Sequence, residues 1–179
     1  MPGHSRWLTG KIENYARTAV PLARTITSEL RRRFGDGVSV EFLYTVRDTD
    51  AWIRSVYGHL VRSIRVEDDF DGFRRSFAKL PDLHAEAAAI ARALAPVPVH
   101  IARLEDVGKT RHGPTTALFD LIDLSPEARA ELPKAEHKNV ALSSDAEAMF
   151  LRLNREIDNA AELKRRKEKI AVADRQARR

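Results

Sequence analysis

The sequence predicts a helix-rich α/β fold: an incomplete parallel sheet flanked by helices, with a basic helical tail at the C-terminus. Three observations predict it. Val38 to Val46, VSVEFLYTV, is β-branched and aromatic with almost nothing polar, as in a strand buried on both faces. Val97 to Leu104, VPVHIARL, alternates Val97, Val99 and Ile101 and is the second strand. Helical periodicities fill the chain between and around them, and strands separated by helices form parallel sheets. Two strands cannot support a sheet covered on both faces, so the predicted sheet is incomplete.

Length and composition bound the rest. At 179 residues the chain is one domain of ordinary size, and 43% apolar content is enough for a core. The absence of cysteine excludes disulfides, thiolate metal sites and a cysteine nucleophile together. No apolar run reaches the roughly 18 residues of a membrane helix, and MPGHSRWLTGK lacks the apolar centre of a signal peptide. A cytoplasmic protein is the expectation. Between Ala161 and Arg179 eight basic residues face three acidic ones, a surplus equal to the whole net charge of +5. The basic character therefore belongs to the tail.

Taken in order, Pro21 suits a first helical position, and Leu22, Ile26, Leu30 and Phe34 form a stripe that Gly35 and Gly37 end. The first strand follows, then Arg47, and then Asp48-Thr49-Asp50, residues that cap helices well. A helix over about 50–64 carries Trp52, Val56, Leu60 and Ile64 on one face. Phe70, Phe73, Phe77 and Leu80 predict a helix over about 68–79 that Pro81 stops. Leu83, Ala87, Ile90, Ala91 and Leu94 predict another, ending before Pro96. Pro98 keeps the first residues of the second strand from a central place in a sheet. Pro114 opens a short helix with Leu118, Leu121 and Ile122, and Ser125-Pro126 opens the next. Residues 133–142 read as loop. Ser144-Asp145 caps a helix with Met149, Phe150, Leu153 and Ile157 in register. The tail continues helically, with too few apolar residues for a stripe.

Strand, arginine, cap and helix together are the layout of an α/β anion site. Arg47 supplies a planar fork of donors, and Ser55, eight positions later, adds a hydroxyl in the early turns of the helix. Gly108-Lys109-Thr110 lacks the earlier glycine of a phosphate loop, because position 103 is Arg, and reads as a turn. His59, His84, His100 and His137 have no metal-like spacing, so they read as structural or exposed and no metal is expected.

The segment FLYTVRDTDAWIRSVY resembles the 3′-phosphate-binding segment of sulfotransferases that use 3′-phosphoadenosine 5′-phosphosulfate (PAPS). In that family a hydrophobic strand ends in an arginine, and a serine follows eight residues later. VHIARLEDVGK resembles the family's strand ending in Tyr-Glu-Asp-Leu, with Leu104 for the tyrosine and Val107 for the leucine. LFDLIDLSPEA resembles the short helix and turn that come next, and HKNVALSSDAEAMFLRLN a stretch of bacterial members. The resemblance runs in order from about 38 to 157. It implies a P-loop-like sheet, PAPS as co-substrate, Arg47 and Ser55 on its 3′-phosphate, and a hydroxyl or amine of a small molecule or glycan as acceptor. The family also opens with a strand and a Gly/Ser/Thr-rich loop that holds the 5′-phosphosulfate. Nothing before Arg47 has that form; Thr9-Gly10-Lys11 comes nearest. The expectation is a sulfotransferase-like domain over 1–160 without its first strand and loop, slow in turnover, and a basic tail over 161–179.

Sulfuryl transfer needs a group to take the acceptor's proton, usually placed before the arginine. His4 is the histidine in that position, with Glu13 and Glu29 after it. An alternative reading makes the chain a non-catalytic interaction protein whose tail engages nucleic acid or an acidic partner. The tail has no aromatic for base stacking, and Glu162 and Glu168 balance part of its charge, so a solvated helix extension is expected and nucleic acid is not.

Overall fold

Parallel pairing of two five-residue strands, β1 (Phe42–Val46) and β2 (Val99–Arg103), sets the centre of one part of the molecule, in register from Phe42↔Val99 to Val46↔Arg103. The computed structural model describes residues 15–80, 82–136 and 141–177. They divide into a sheet unit, residues 15–49 with 80–136, and a helical unit, residues 50–79 with 141–177. None of the helices among the described residues is long and apolar enough to cross a membrane. The α/β character expected from sequence is present, with helix predominating.

In the sheet unit, helix α1 (Ala16–Phe34) precedes β1, and the next helices of this unit flank or follow β2. After β1, α2 (Thr49–Ser63) enters the helical unit, where α3 (Phe70–Arg75) follows. The chain then returns with α4 (Leu83–Leu94), β2, α5 (Leu104–Val107), α6 (Thr115–Leu121) and α7 (Pro126–Glu131).

α1 starts at Ala16, earlier than the proline suggests, and Pro21 lies inside it. The predicted stripe is also corrected. Leu22, Ile26 and Phe34 are exposed, whereas Ala23 and Thr27 are buried. Ala23 joins Ile90 and Leu94 of α4 in a core flanked by Ala16, Ala19, Val20, Phe42, Tyr44 and Val99. Small side chains let the two helices approach closely, which larger ones on that face would prevent. The Ala16 N–H donates to the buried carboxylate of Glu86 at 3.0 Å, and Arg24 donates to the Ala93 carbonyl at 3.0 Å. Each end of α1's contact with α4 thus satisfies a backbone group left over at a helix terminus.

β1 is shorter than 38–46 because β2 offers five partners; Val38 to Glu41 carry no ladder. It is not buried on both faces either. Phe42 and Tyr44 turn toward the α1–α4 core, Thr45 is exposed, and Val46 is the buried residue of the strand.

In the helical unit, the buried line of α2 is Ile53, Tyr57 and Val61, one position on from the predicted Trp52, Val56, Leu60 and Ile64. Aromatic neighbours decide this. The Tyr57 ring meets Phe70 at 5.5 Å and Phe73 at 5.2 Å, and its hydroxyl donates to the Asp68 carbonyl at 3.1 Å. Helix α8 (Ser144–Glu156) is capped by Ser143, one residue before the expected cap, whose hydroxyl accepts from the Ala146 N–H at 3.1 Å. Phe150 and Asn154 of α8 are buried, while Met149 is exposed.

The tail differs most from expectation. The chain breaks after Glu156 and starts a separate helix, α9 (Ala160–Ala177), which packs on α8 and buries Leu163 and Lys167. It is not a solvated extension. The Lys167 ammonium donates to the carbonyls of Val61 at 2.7 Å and Ile64 at 2.8 Å, at the end of α2. Asn154 donates to Val61 at 3.2 Å and Val66 at 2.8 Å. Arg65 donates to the carbonyls of Asn154, Ile157 and Asp158, where α8 ends.

Burial, reinforced by the Arg65 charge, pushes Lys167 down from its ordinary 10.5 to about 8. Between those values the unfolded chain holds more protons than the folded one, so stability should rise with pH from about 8 to 10.5. Tyr57 acts with the opposite sign. Burial, then the Glu147 carboxylate, push it from 10.0 up to about 12, so stability should fall across that interval. Urea midpoints measured against pH should show both limbs in the native protein. Lys167→Met should lose the rise and keep the fall; a rise that persists in the variant contradicts the assignment.

Candidate functional site at the sheet edge

Because β1 and β2 are parallel, both deliver their C-terminal ends to one edge of the sheet, where Val46 pairs with Arg103. The residues that follow each strand make that edge: Arg47, Asp48 and Thr49 after β1, and Leu104 and Glu105 after β2. This is the position at which open α/β sheets bind ligands.

Two carboxylates shape the edge. Glu105 accepts the Asp48 N–H at 2.9 Å, across 57 residues of sequence. Asp82, the cap of α4, accepts the Ala85 N–H at 2.8 Å and the Thr49 hydroxyl at 3.3 Å. The Thr49 oxygen in turn accepts the Leu83 N–H at 3.0 Å. The turn from β1 into α2 is therefore tied to β2 on one side and to α4 on the other. The Asp48 N–H, then Glu105's own N–H, and then the charges of Arg103 and His84 hold the Glu105 carboxyl below its usual range. The Ala85 N–H, then Thr49 and His84, do the same for Asp82. Both carboxylates are ionised at neutral pH, and His84 lies close enough for its charge to act on each.

Chemically, the edge combines one free guanidinium with polar atoms that lack a protein partner. Arg47 is half-buried and makes no ion pair or hydrogen bond among the described residues. Among the described residues, His84 Nε2 and Glu105 Oε2 are buried atoms without a hydrogen-bond partner. Such atoms are completed by water or by a ligand. An unpaired guanidinium at this place suits a phosphate or another small anion.

The residues read from sequence are distributed as follows. Arg47 lies at this edge, in the sheet unit. Ser55 is exposed on α2, in the helical unit. His4 and Glu13 lie outside the described residues. Glu29 is exposed and paired with Arg32 at 2.8 Å, an ordinary contact along α1. Gly108-Lys109-Thr110 is a turn, closed by the Thr110 hydroxyl donating to the Val107 carbonyl at 2.7 Å. His84 was read as structural or exposed; it is half-buried and near enough to Asp82 and Glu105 to act on both. The Asp82 cap was visible as an acidic residue before Leu83, but its bond to Thr49 spans 33 residues and leaves no local signal. Among the described residues no group of three or more side chains could hold a metal ion. Comparison with protein-family models, with curated proteins and with solved structures finds no match to this chain.

Glu105 should be the acid-sensitive part of this edge. Its folded-state value lies below 4.5, so its stabilisation is complete above that pH and is lost as pH falls through the folded value. Glu105→Gln should cost about 1 kcal/mol at pH 7, the lower end for a hydrogen bond to a charged group at a half-exposed site. Melting curves between pH 3 and 7 should show a shallower acid limb in the variant. An unchanged limb removes Glu105 from this role.

Proposed function

We propose that the chain is a PAPS-binding, sulfotransferase-like protein in which Arg47 and Ser55 donate to the 3′-phosphate of PAPS or of its product, 3′-phosphoadenosine 5′-phosphate (PAP). The observation that carries the reading is the Arg47 guanidinium, without a partner among the described residues, at the point where β1 passes into α2. Its support is the turn around it. The backbone on either side of Arg47 is held by strand pairing at Val46 and by the Asp48–Glu105 bond. A guanidinium on a fixed turn loses little freedom on binding, which favours a compact dianion. Ser55, on α2, is the second donor that the resemblance implies.

In this reading β1 and β2 belong to a P-loop-like sheet, and the edge described above is its 3′-phosphate side. Arg47 binds and orients the nucleotide; Glu105, Asp82 and Thr49 are positioning residues that act through the turn. PAPS, when bound, supplies the sulfuryl group, and an acceptor hydroxyl or amine of a small molecule or glycan receives it. Nothing among the described residues is assigned to the sulfuryl group itself.

Isothermal calorimetry with PAP tests the reading. Saturable binding is expected, with 5′-AMP, which lacks the 3′-phosphate, at least tenfold weaker. Arg47→Ala should weaken PAP binding about tenfold or more, the worth of a charge-assisted hydrogen bond, and Ser55→Ala by less. Binding that survives Arg47→Ala unchanged, or that does not distinguish PAP from 5′-AMP, would sink the assignment.

A further inference from the structure

The last turn of α2 and one side of α9 frame a cleft of about 990 Å³ within the helical unit. Its floor is aliphatic. Ile64 is 41% and Val172 46% exposed, large apolar surfaces left to solvent, and buried Leu163 lines the same cleft. Its margins are basic: Arg62 on α2, Lys164 and Arg175 on α9. Lys164, Glu168, Ala171 and Arg175 repeat at helical spacing along one side of α9, so the two cations stand at the ends of that side with one carboxylate between them.

What the cations are bonded to separates two groups. Lys167 and Arg65 also line the cleft, but their donors are committed to the carbonyls that end α2 and α8. Arg62 and Lys164 have no ion pair or hydrogen bond among the described residues, and Arg175 donates to the Ala171 carbonyl of its own helix. Arg166, by contrast, is paired with Glu162 at 2.6 Å. Glu168 is the carboxylate that lines the cleft, against three cations without one.

We propose that this cleft binds an acidic amphipathic helical segment of a partner protein. Aliphatic residues of the segment would cover Ile64 and Val172, and flanking carboxylates would meet Arg62, Lys164 and Arg175. An apolar floor inside a charged margin is the anatomy of a protein interface and of helix-in-groove recognition. The margin's surplus of positive charge selects an acidic occupant. A compact phosphate fits less well, because the free cations sit on exposed, flexible stems that do not converge on a buried point. Nucleic acid fits less well too, since the cleft has no aromatic side chain on which a base would stack. From Ala160 to Arg175 the lining residues cover roughly 22 Å of helix, enough for a segment of about four turns. The proposal stands apart from the PAPS reading and uses none of its residues.

The probe is a fluorescein-labelled 16-residue peptide, helical in design, with leucine at every third or fourth position and glutamate at most others. Fluorescence anisotropy with the full chain should show saturable binding at 50 mM NaCl that weakens severalfold at 300 mM. Arg62→Glu, Lys164→Glu and Arg175→Glu should each weaken it about three- to tenfold and reduce its salt dependence. Ile64→Ser and Val172→Ser should weaken it with the salt dependence kept. All five side chains are exposed, and unchanged melting temperatures will show that the variants fold. No binding at 50 mM NaCl overturns the proposal. So does equal affinity for a leucine-free glutamate peptide, for a 20-nucleotide single strand, or for charge-reversed protein. Sedimentation without peptide that shows self-association, abolished by the same variants, also overturns it in favour of a second copy.

Discussion

Helix ends buried inside a protein carry carbonyl groups that have lost their intrahelical partners, and the helical unit is built around satisfying them. α2 and α8 both end within this unit, and the side chains that meet their last carbonyls are Lys167, Asn154 and Arg65. The Val61 carbonyl accepts from two of them, Asn154 and Lys167. An orphaned carbonyl in such a place costs about 1–3 kcal/mol. A buried ammonium is also costly, which is visible in the lowered Lys167 value of about 8. The two costs offset each other in part: the cation is solvated by helix carbonyls, and the negative ends of two helix dipoles are met by positive charge. Once Lys167 is required at the end of α2, α9 is fixed against α8. The chain must break at residues 157–159 to bring it there.

The sheet unit solves the complementary problem with the opposite charge. Glu86 accepts the first N–H of α1, Glu105 accepts the N–H that precedes α2, and Asp82 accepts at the start of α4. Carboxylates sit where N–H groups are left over, and they tie elements distant in sequence. Two of these three ties converge on the turn that carries Arg47. That turn is consequently held from two sides, although it lies at the edge of a two-stranded sheet. A small two-stranded sheet has little packing with which to fix a loop; hydrogen bonds to charged side chains do it instead.

What could be read from the sequence was local. The order β1, Arg47, α2 was legible from composition and capping residues. The short helices after Pro114 and Ser125-Pro126 and the helix over Leu83–Leu94 were legible for the same reason. Registers were not. Leu22, Ile26 and Phe34 outrank Ala16, Ala19 and Ala23 in any hydrophobic count, yet the alanines face the core because α4 needs close approach. Trp52–Val56–Leu60 and Ile53–Tyr57–Val61 are both apolar lines on α2, and the phenylalanines of α3 choose between them. The length of β1 depended on its partner, not on its own residues. Glu105 gave no signal, since the N–H it accepts comes from Asp48, 57 residues away.

The tail shows most clearly why charge must be read together with bonding. Counted in sequence, its basic residues form one group that looks solvated. In the fold they separate by what their donors do. Lys167 is spent on carbonyls, Arg166 on Glu162, and both are structural. Lys164, with Arg62 from α2, has nothing to bond among the described residues. The same distinction separates Arg47 from Arg24, Arg54 and Arg65, each of which has a carbonyl or carboxylate partner. A cation whose donors are satisfied within the fold contributes to stability, and its charge is largely screened from any ligand. A cation held in place yet left unsatisfied keeps most of its interaction energy for an external anion. By that criterion the net charge says little about function. What matters is the few positions where a cation has no carbonyl or carboxylate partner among the described residues, Arg47 at the sheet edge and Arg62 and Lys164 at the α2–α9 margin.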